Sequence, residues 1–360
     1  MEVFHCNTRI LSGEGSIARL SQLGIQRLLV VTDPFFMENG VARQVAEKTG
    51  AEAWELFSQV RPDPSVELAA EGTAAVQRFH PDTVVALGGG SAIDCAKAMV
   101  YFSGEQIRLI AIPTTSGSGS EVTDFAILTH NGVKHPLVDS RLRPEIAILD
   151  GDLLKELPPS LIADAGFDVL AHAAEAYVAR DAGAITEGLA ADAFSAAFSL
   201  LPISFGGNRE VRQRMHLASC MAGMAFTQAG LGLCHAMAHG LGGIFHLPHG
   251  RLNGILLPAV ITVNGGAAGA KYARLARAAG LPGSADAVAL RNLKNALVKL
   301  RKELALPGTL VQAGVSSREI RECREVLIQT VLEDPCCATN PEPVTGELIA
   351  RVLEEVTGRD

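Results

Sequence analysis

The sequence predicts an α/β domain followed by an all-helical one, and three observations carry that reading. First, fully apolar runs of strand length recur through the first part of the chain: "RLLVV" (27–31), "TVVAL" (83–87), "IRLIAI" (107–112) and "IAIL" (146–149). Strands covered on both faces read in this way. Second, the segments between them, "VARQVAEKTG", "SVELAAEGTAAVQRF" and "SAIDCAKAMVYF", have helical spacing. Such alternation builds a doubly wound, mainly parallel sheet. Third, the chain from Ala163 onward is Ala-rich, helical in period and almost free of strand-like runs. "GILLPAVITV" is ambiguous, but Pro258 inside it argues against a central strand. The boundary falls near Pro158–Pro159, so the expected domains are residues 1–157 and 158–360. No long linker separates them, and a ligand cleft between the two is expected.

Composition removes several classes of function. The chain has 360 residues, 48% of them apolar and 19% charged, which is a globular and not a disordered balance. A net charge of −8 argues against a nucleic-acid partner, because phosphate binding takes a basic patch. "MEVFHCNTRI" lacks a basic segment followed by an apolar one, so no secretory signal is expected. "GILLPAVITV" is about half the length of a membrane span, and no transmembrane segment is expected. The seven cysteines are odd in number and form no C-x-x-C pair. Adjacent Cys336 and Cys337 suit neither a shared zinc nor an ordinary disulfide, so reduced thiols in a cytosolic protein are expected.

Two glycine-rich turns suggest a nucleotide. In "VVALGGGSAIDCAKA" a strand gives way to Gly88, Gly89, Gly90 and Ser91 and then to a helix. Glycines let backbone approach a bound group, and a helix N-terminus offers free N–H groups with partial positive charge. The stretch has neither the G-x-G-x-x-G spacing nor a Gly-Lys-Ser/Thr end, and alone it could be a tight turn only. The second turn, "IAIPTTSGSGSEVTD", again leaves a strand and is expected to enter a helix at Ser120-Glu121. Its hydroxyls, from Thr114, Thr115, Ser116, Ser118 and Ser120, suit sugar and phosphate oxygens. Asp33 ends the first strand, where a carboxylate can bind a ribose diol and repel a 2′-phosphate; a turn aspartate before Pro34 is the plainer reading.

A metal centre is the second candidate. "HAMAHGLGGIFHLPHG" (235–250) packs four of the ten histidines into one mostly apolar stretch. Buried imidazoles need partners, and a metal is one. In "GFDVLAHAAEAY", Asp168 and His172 stand at i, i+4 and share a helix face; His235 and His239 do the same. His249, beyond Pro248, arrives from another backbone direction. Asp168, His172, His235 and His249 supply three neutral nitrogens and one carboxylate, a set that polarises a carbonyl or acidifies an alcohol when loaded. A fifth ligand would fill the substrate position, so His239 is assigned to proton relay or substrate orientation and His246 to a supporting or structural role. His5, His80, His130 and His135 read as surface residues, and His216 as structural.

These stretches, with "AGMAFTQAGLGLCHAMAHGLGGIFHLPHG" and "CATNPEPVT", resemble in order and spacing the iron-containing (group III) alcohol dehydrogenases along essentially the whole chain. The wording around the histidines looks like the short-chain alcohol dehydrogenases of propanediol and ethanolamine utilisation. The resemblance implies a dehydroquinate synthase-like fold, NAD and Fe(II) as cofactors with zinc an alternative, and interconversion of propanal or acetaldehyde with primary alcohols. It further implies a cytoplasmic enzyme, probing no membrane, working as a homodimer and in some members inside a bacterial microcompartment with shell or cargo partners. Carried over by residue, Asp168, His172, His235 and His249 match the metal ligands, and His239 a substrate-side histidine. Gly89, Gly90, Ser91 and Asp94 match the diphosphate turn; Thr114, Thr115 and Ser118 match the second cofactor loop. Asp33 matches the carboxylate that favours NAD, and Lys134 a cofactor-contacting lysine. Phe125 and Phe226 are expected to line an apolar substrate pocket.

Where many members carry asparagine between two prolines, this chain has Pro62-Asp63-Pro64, which puts a nucleotide contact in question. A lyase or glycerol-phosphate dehydrogenase on the same scaffold would need several basic residues near the ligands, and only Arg180 and Arg251 stand there in sequence. A polyol dehydrogenase is a nearer alternative, and a non-catalytic component of a shell assembly a more distant one.

Overall fold

The computed structural model describes residues 4–130 and 133–359. Two compact units form, His5–Leu157 and Pro158–Asp360.

In the first unit the strands are β1 (Arg9–Ser12), β2 (Arg27–Thr32), β3 (Ala53–Phe57), β4 (Thr83–Gly88), β5 (Arg108–Pro113), β6 (Phe125–His130), β7 (Val133–Val138) and β8 (Ile146–Leu149). A six-stranded sheet has the order β1-β8-β5-β4-β2-β3, with every pairing parallel. The helices are α1 (Pro34–Glu38), α2 (Val41–Thr49), α3 (Val66–Phe79) and α4 (Gly90–Ser103). Successive side chains on a strand face opposite ways, and both faces here are covered. Leu29, Val31, Val84 and Ala86 pack with Val76, Phe79, Ile93 and Met99 on one side. Leu28, Val30, Val85 and Leu87 pack with Leu20, Val45 and Ala46 on the other. That double burial is why the central strands read as unbroken apolar runs. Each such Val or Leu contributes about 1.5–3 kcal/mol on leaving water.

From β2 the chain winds outward to β3, then returns past β2 to β4 and β5. The winding therefore reverses between β2 and β4, and ligands of open α/β sheets bind beyond the carboxyl ends at such a reversal. Thr32 pairs with Leu87 across these two strands. Asp33 and Gly88, the next residues, consequently stand side by side.

The sequence reading passed over β1, β3 and the antiparallel β6–β7 pair. β1 and β3 are edge strands, half-buried along most of their length, and carry Arg9, Ser12 and Glu55. The expected helix at Ser120-Glu121 is a single 3₁₀ turn, Ser120–Val122. It stops because Thr123 turns extended, at φ −94° and ψ 157°, on the way into β6.

The second unit contains α5 (Pro159–Val178), α6 (Ala184–Phe205), α7 (Arg212–Ala229), α8 (Leu233–Phe245) and α9 (His249–Val263). Beyond these lie α10 (Gly265–Ala278), α11 (Asp286–Glu303), α12 (Ser317–Glu322), α13 (Arg324–Glu333) and α14 (Gly346–Thr357). "GILLPAVITV" is helical within α9. Pro258 has no N–H for the carbonyl four residues back, Gly254, and Arg301 Nη1 donates to that oxygen at 3.1 Å instead. By length and composition α6 could cross a membrane, a feature the sequence reading did not single out. It packs against α5 and α7.

Candidate active site

The metal-type donors sit wholly within the helical unit. Asp168, His172 and Glu175 lie at i, i+4 and i+7 on one face of the deeply buried α5. His235 comes from the first turn of α8, and His249 from the first residue of α9. Around Asp168 Oδ1 stand His172 Nε2 at 3.9 Å, His235 Nε2 at 3.7 Å and His249 Nε2 at 3.5 Å. A tetrahedral ion with bonds of about 2.0–2.1 Å separates its ligands by about 3.4 Å. Asp168, His172 and His235 present donor atoms all within 4.8 Å of one another, while His249, 3.5 Å from Asp168, lies outside that group and must move inward to complete a four-donor site. Burial opposes ionisation of Asp168, but His172, His249 and His235 hold its carboxyl well below the usual carboxylate range.

Three residues that the sequence reading did not name brace the site, Glu175 and Asn253 holding this set and Asp334 holding His239 beside it. Glu175, 2% exposed, accepts from His235 Nδ1 at 2.6 Å, which leaves the Nε2 lone pair facing the cluster. The same carboxylate accepts from the amides of Gly232 at 3.0 Å and Cys234 at 2.7 Å. It thereby caps α8, whose N-cap residue Gly232 has no side chain to do so. Asn253, one turn after His249, donates from Nδ2 to Asp168 Oδ1 at 2.8 Å. Asp334 accepts from His239 Nδ1 at 2.8 Å. Burial works against the Asp334 carboxylate, yet His239 holds it below its ordinary range. Glu175 and Asn253 could have been found by extending the i, i+3 and i, i+4 spacing from His172 and His249. Asp334 is 95 residues from His239 and has no such local signal.

His239 is half-buried, and its ring stacks on that of His249 with centroids 5.2 Å apart. His246 is exposed and ends α8 in a left-handed conformation, φ 55°, away from the donor set. Phe226 stacks on His172 at 4.4 Å and 22°, and His172 in turn on His235 at 4.4 Å and 17°. Phe226 is thus a buried buttress behind a ligand; Phe125 opens β6 in the other unit. Arg251 makes a two-pronged contact with Asp164, Nη2 to Oδ2 at 3.0 Å and Nε to Oδ1 at 3.3 Å.

In the α/β unit the two small-residue turns touch. A Cβ on Gly89 would lie 3.4 Å from Thr115 Oγ1, and one on Gly90 2.9 Å from Ser118 Oγ. Gly88 has φ +153°, and a side chain there would meet Ala92 Cβ at 2.6 Å and approach Asp33 Oδ2 at 3.6 Å. Only glycine serves at that position. Thr114 N donates to Gly88 O at 3.0 Å, which ties the turns together. Gly89, the N-cap of α4, brings no side-chain cap, so the amides around Gly90 and Ser91 remain available to an anionic group. Asp33 borders this turn while its Oδ1 caps α1 through Phe36 N at 3.2 Å.

Asp94 behaves differently from the expectation. One oxygen accepts from Ser120 Oγ and the other from Ile127 N at 3.0 Å, so the carboxylate joins α4 to the second loop and β6. Fully buried Lys97 reinforces the same junction, donating to Thr123 Oγ1 and Phe125 O at 2.8 Å each. Burial pulls the Lys97 ammonium down to about 8, with Asp94 and Glu121 opposing. Lys134 pairs with Asp63 at 2.6 Å. Asp63 has φ 56°, a conformation open to Asp as to Asn, so the replaced asparagine position is answered by an ion pair.

A doubly wound nucleotide-type unit and a helical unit carrying imidazole and carboxylate donors suit a nucleotide- and metal-dependent enzyme. The iron-containing alcohol dehydrogenase model matches residues 7–151, and the C-terminal model of the Fe-containing alcohol dehydrogenase family matches residues 162–357. The chain belongs to the iron-containing alcohol dehydrogenase family and is an oxidoreductase. It is 40% identical over 369 residues to 1-propanol dehydrogenase PduQ of Salmonella typhimurium, covering 99% of this chain and 100% of that one. It is 35% identical over 370 residues to the NADPH-dependent butanol dehydrogenase of Clostridium saccharobutylicum, covering 96% and 95% respectively. The iron-containing alcohol dehydrogenase of Thermococcus thioreducens superposes with a TM-score of 0.91 at 32% identity, over 98% of this chain and 99% of that one.

Proposed function

We propose that this enzyme interconverts short, unbranched aldehydes, propanal and acetaldehyde among them, with their primary alcohols, using NAD(H) and iron. The observation that carries the reading is the grouping of Asp168, His172 and His235 donors, with His249 3.5 Å from Asp168 and the His239–Asp334 pair beside it. Iron, when bound, supplies Lewis acidity toward the substrate oxygen. Reducing an aldehyde adds a hydride to carbon and a proton to oxygen. His239 supplies that proton from Nε2, because its Nδ1–H is held by Asp334, whose carboxylate also steadies the charged ring. Glu175 and Asn253 orient the ligands and take no part in proton transfer.

A neutral substrate is favoured because Arg251, the cation next to His249, is already neutralised by Asp164. The likeness to a 1-propanol dehydrogenase supports the same choice. The setting that follows is the regeneration of NAD during propanediol or ethanolamine utilisation, in the cytoplasm or within a microcompartment, as a homodimer. A substrate panel tests the reading. Propanal should be turned over with NADH at a kcat/KM well above that of glycerol-derived, phosphorylated or carboxylated carbonyls. A phosphorylated or carboxylated substrate that outperforms propanal would remove it.

Cofactor choice rests on Asp33, whose carboxylate borders the glycine turn. A 2′-phosphate placed there meets a like charge, a clash of several kcal/mol, so NADH should exceed NADPH in kcat/KM by at least about tenfold. Asp33→Asn keeps an oxygen to cap α1 but removes the charge, and should narrow that ratio. Equal efficiency of the two cofactors in the unaltered enzyme contradicts the assignment.

A further inference from the structure

Beside the four-donor set, a second group of metal-binding side chains comes together. His239, Asp334 and Cys336 each present one donor atom, all within 4.8 Å of one another. None of the three belongs to the set around Asp168. They come from two elements: His239 from α8, and the other two from the start of the 3₁₀ turn Pro335–Thr339. The amide of Cys336 donates to Asp334 Oδ1 at 2.8 Å, which fixes thiol and carboxylate relative to each other. Asp334 Oδ2 already stands 2.8 Å from His239 Nδ1. The neighbouring Cys337 is engaged elsewhere, with Sγ on Val331 O at 3.0 Å. All three donor residues are half-buried, so the group is not sealed in the core.

We infer that His239, Asp334 and Cys336 form a second, inhibitory site for a soft divalent cation of the zinc type. One imidazole nitrogen, one carboxylate oxygen and one thiolate are a donor set that zinc accepts, with a fourth position left for water. Carboxylate and thiolate together cancel the dication's charge, and the thiolate selects zinc over ferrous iron. Burial and the adjacent Asp334 push the Cys336 thiol well above its ordinary range. The thiol therefore keeps its proton until a cation displaces it; binding releases that proton to solvent and shifts the His239 Nδ1 proton to Nε2. The adjacent cysteines do not share an ion: Cys336 alone joins residues distant in sequence. Occupation replaces the Nδ1–H contact with Asp334 by bonds to the ion, so His239 can no longer relay a proton. That inhibitory half rests on the proton-relay reading of His239; the binding half does not.

The test uses enzyme that carries its catalytic ion, titrated with Co²⁺ and separately with Zn²⁺. Cobalt should add one equivalent and a thiolate-to-cobalt charge-transfer band, which the sulfur-free set around Asp168 cannot produce. Zinc should bleach that band, either cation alone should abolish turnover at the midpoint of its own binding, and a chelator should restore turnover. In Cys336→Ser the band should vanish and the zinc midpoint, measured against that variant's own rate, should rise at least about tenfold. Cys337→Ser should behave as the unaltered chain. Absence of the band, its persistence in Cys336→Ser, or inhibition accompanied by release of the catalytic ion in place of a second equivalent overturns the site. Zinc bound through Cys336 with turnover unchanged overturns the inhibitory half together with the relay role of His239.

Discussion

His235→Ala is expected to lose bound metal and turnover together, while His239→Ala keeps a near-stoichiometric ion and loses turnover alone. The two histidines are one helical turn apart on α8 and have nearly the same sequence context. Their surroundings separate them. His235 is 1% exposed, its Nδ1 is fixed by Glu175, and its Nε2 faces Asp168 at 3.7 Å. Truncating it removes a ligand and also leaves the buried Glu175 carboxylate without its ring partner, a second cost of about 1–3 kcal/mol or more. His249→Ala should follow His235→Ala for the first reason alone. His239 directs Nδ1 to Asp334 and stacks on His249 without joining the set. Loss of a general acid costs about 10²–10⁴-fold in rate, and the pH profile of kcat should lose one limb. Glu175→Gln is intermediate: a neutral amide still meets the ring but no longer favours its ligand tautomer, so metal affinity should fall by about 10–100-fold. Metal content by elemental analysis, read beside kcat, decides the matter. A metal-free His239→Ala together with a metal-replete His235→Ala reverses the assignment.

Parts of this site were legible because helix geometry writes itself into spacing. Asp168 and His172 at i, i+4 must share a face wherever the helix packs, and Pro248 had to redirect the chain before His249. Glu175 lies in the very stretch that displayed Asp168 and His172, yet a glutamate on an Ala-rich helix reads equally well as a solvated residue. Only tertiary packing buries it under α8. The Asp334 contact depends on a chain reversal that no local pattern encodes. Asp94 shows the opposite difficulty: its motif position suggests a nucleotide contact, but both oxygens are engaged by Ser120 and Ile127.

The fold divides along similar lines. The central strands were legible because burial on both faces removes polar residues from the run. Edge strands β1 and β3 have one incompletely covered flank and keep polar positions that disguise them. The helical character of α9 survives Pro258 only because Arg301, which comes from α11, supplies the missing donor. That compensation cannot be read from the segment itself.

Gly250→Ala should be among the most damaging single-methyl changes in the helical unit. Gly250 follows His249 in the first turn of α9 and packs against α5 one turn before Asp168. A Cβ there would lie 2.0 Å from the backbone oxygen of Asp164 and 2.6 Å from its carbonyl carbon. Both obstacles are main chain, so no rotamer change relieves them, and α9 must move away from α5 by about 1 Å or more. That motion carries His249 from Asp168 and strains the Arg251–Asp164 pair, whose two partners flank the same contact. Overpacking of this kind costs about 1–3 kcal/mol in stability, and a displacement of about 1 Å at a reacting centre costs about 10²-fold in rate. Gly243→Ala is the control: it adds the same methyl within α8, where nothing lies within 4 Å of the new Cβ. Helix propensity alone then favours alanine, by up to about 1 kcal/mol. Thermal unfolding and metal content should therefore separate the two variants, with Gly250→Ala less stable and metal-poor and Gly243→Ala at least as stable and metal-replete. A Gly250→Ala enzyme with unaltered melting temperature and a full complement of metal would show that the α5–α9 contact does not set the position of His249.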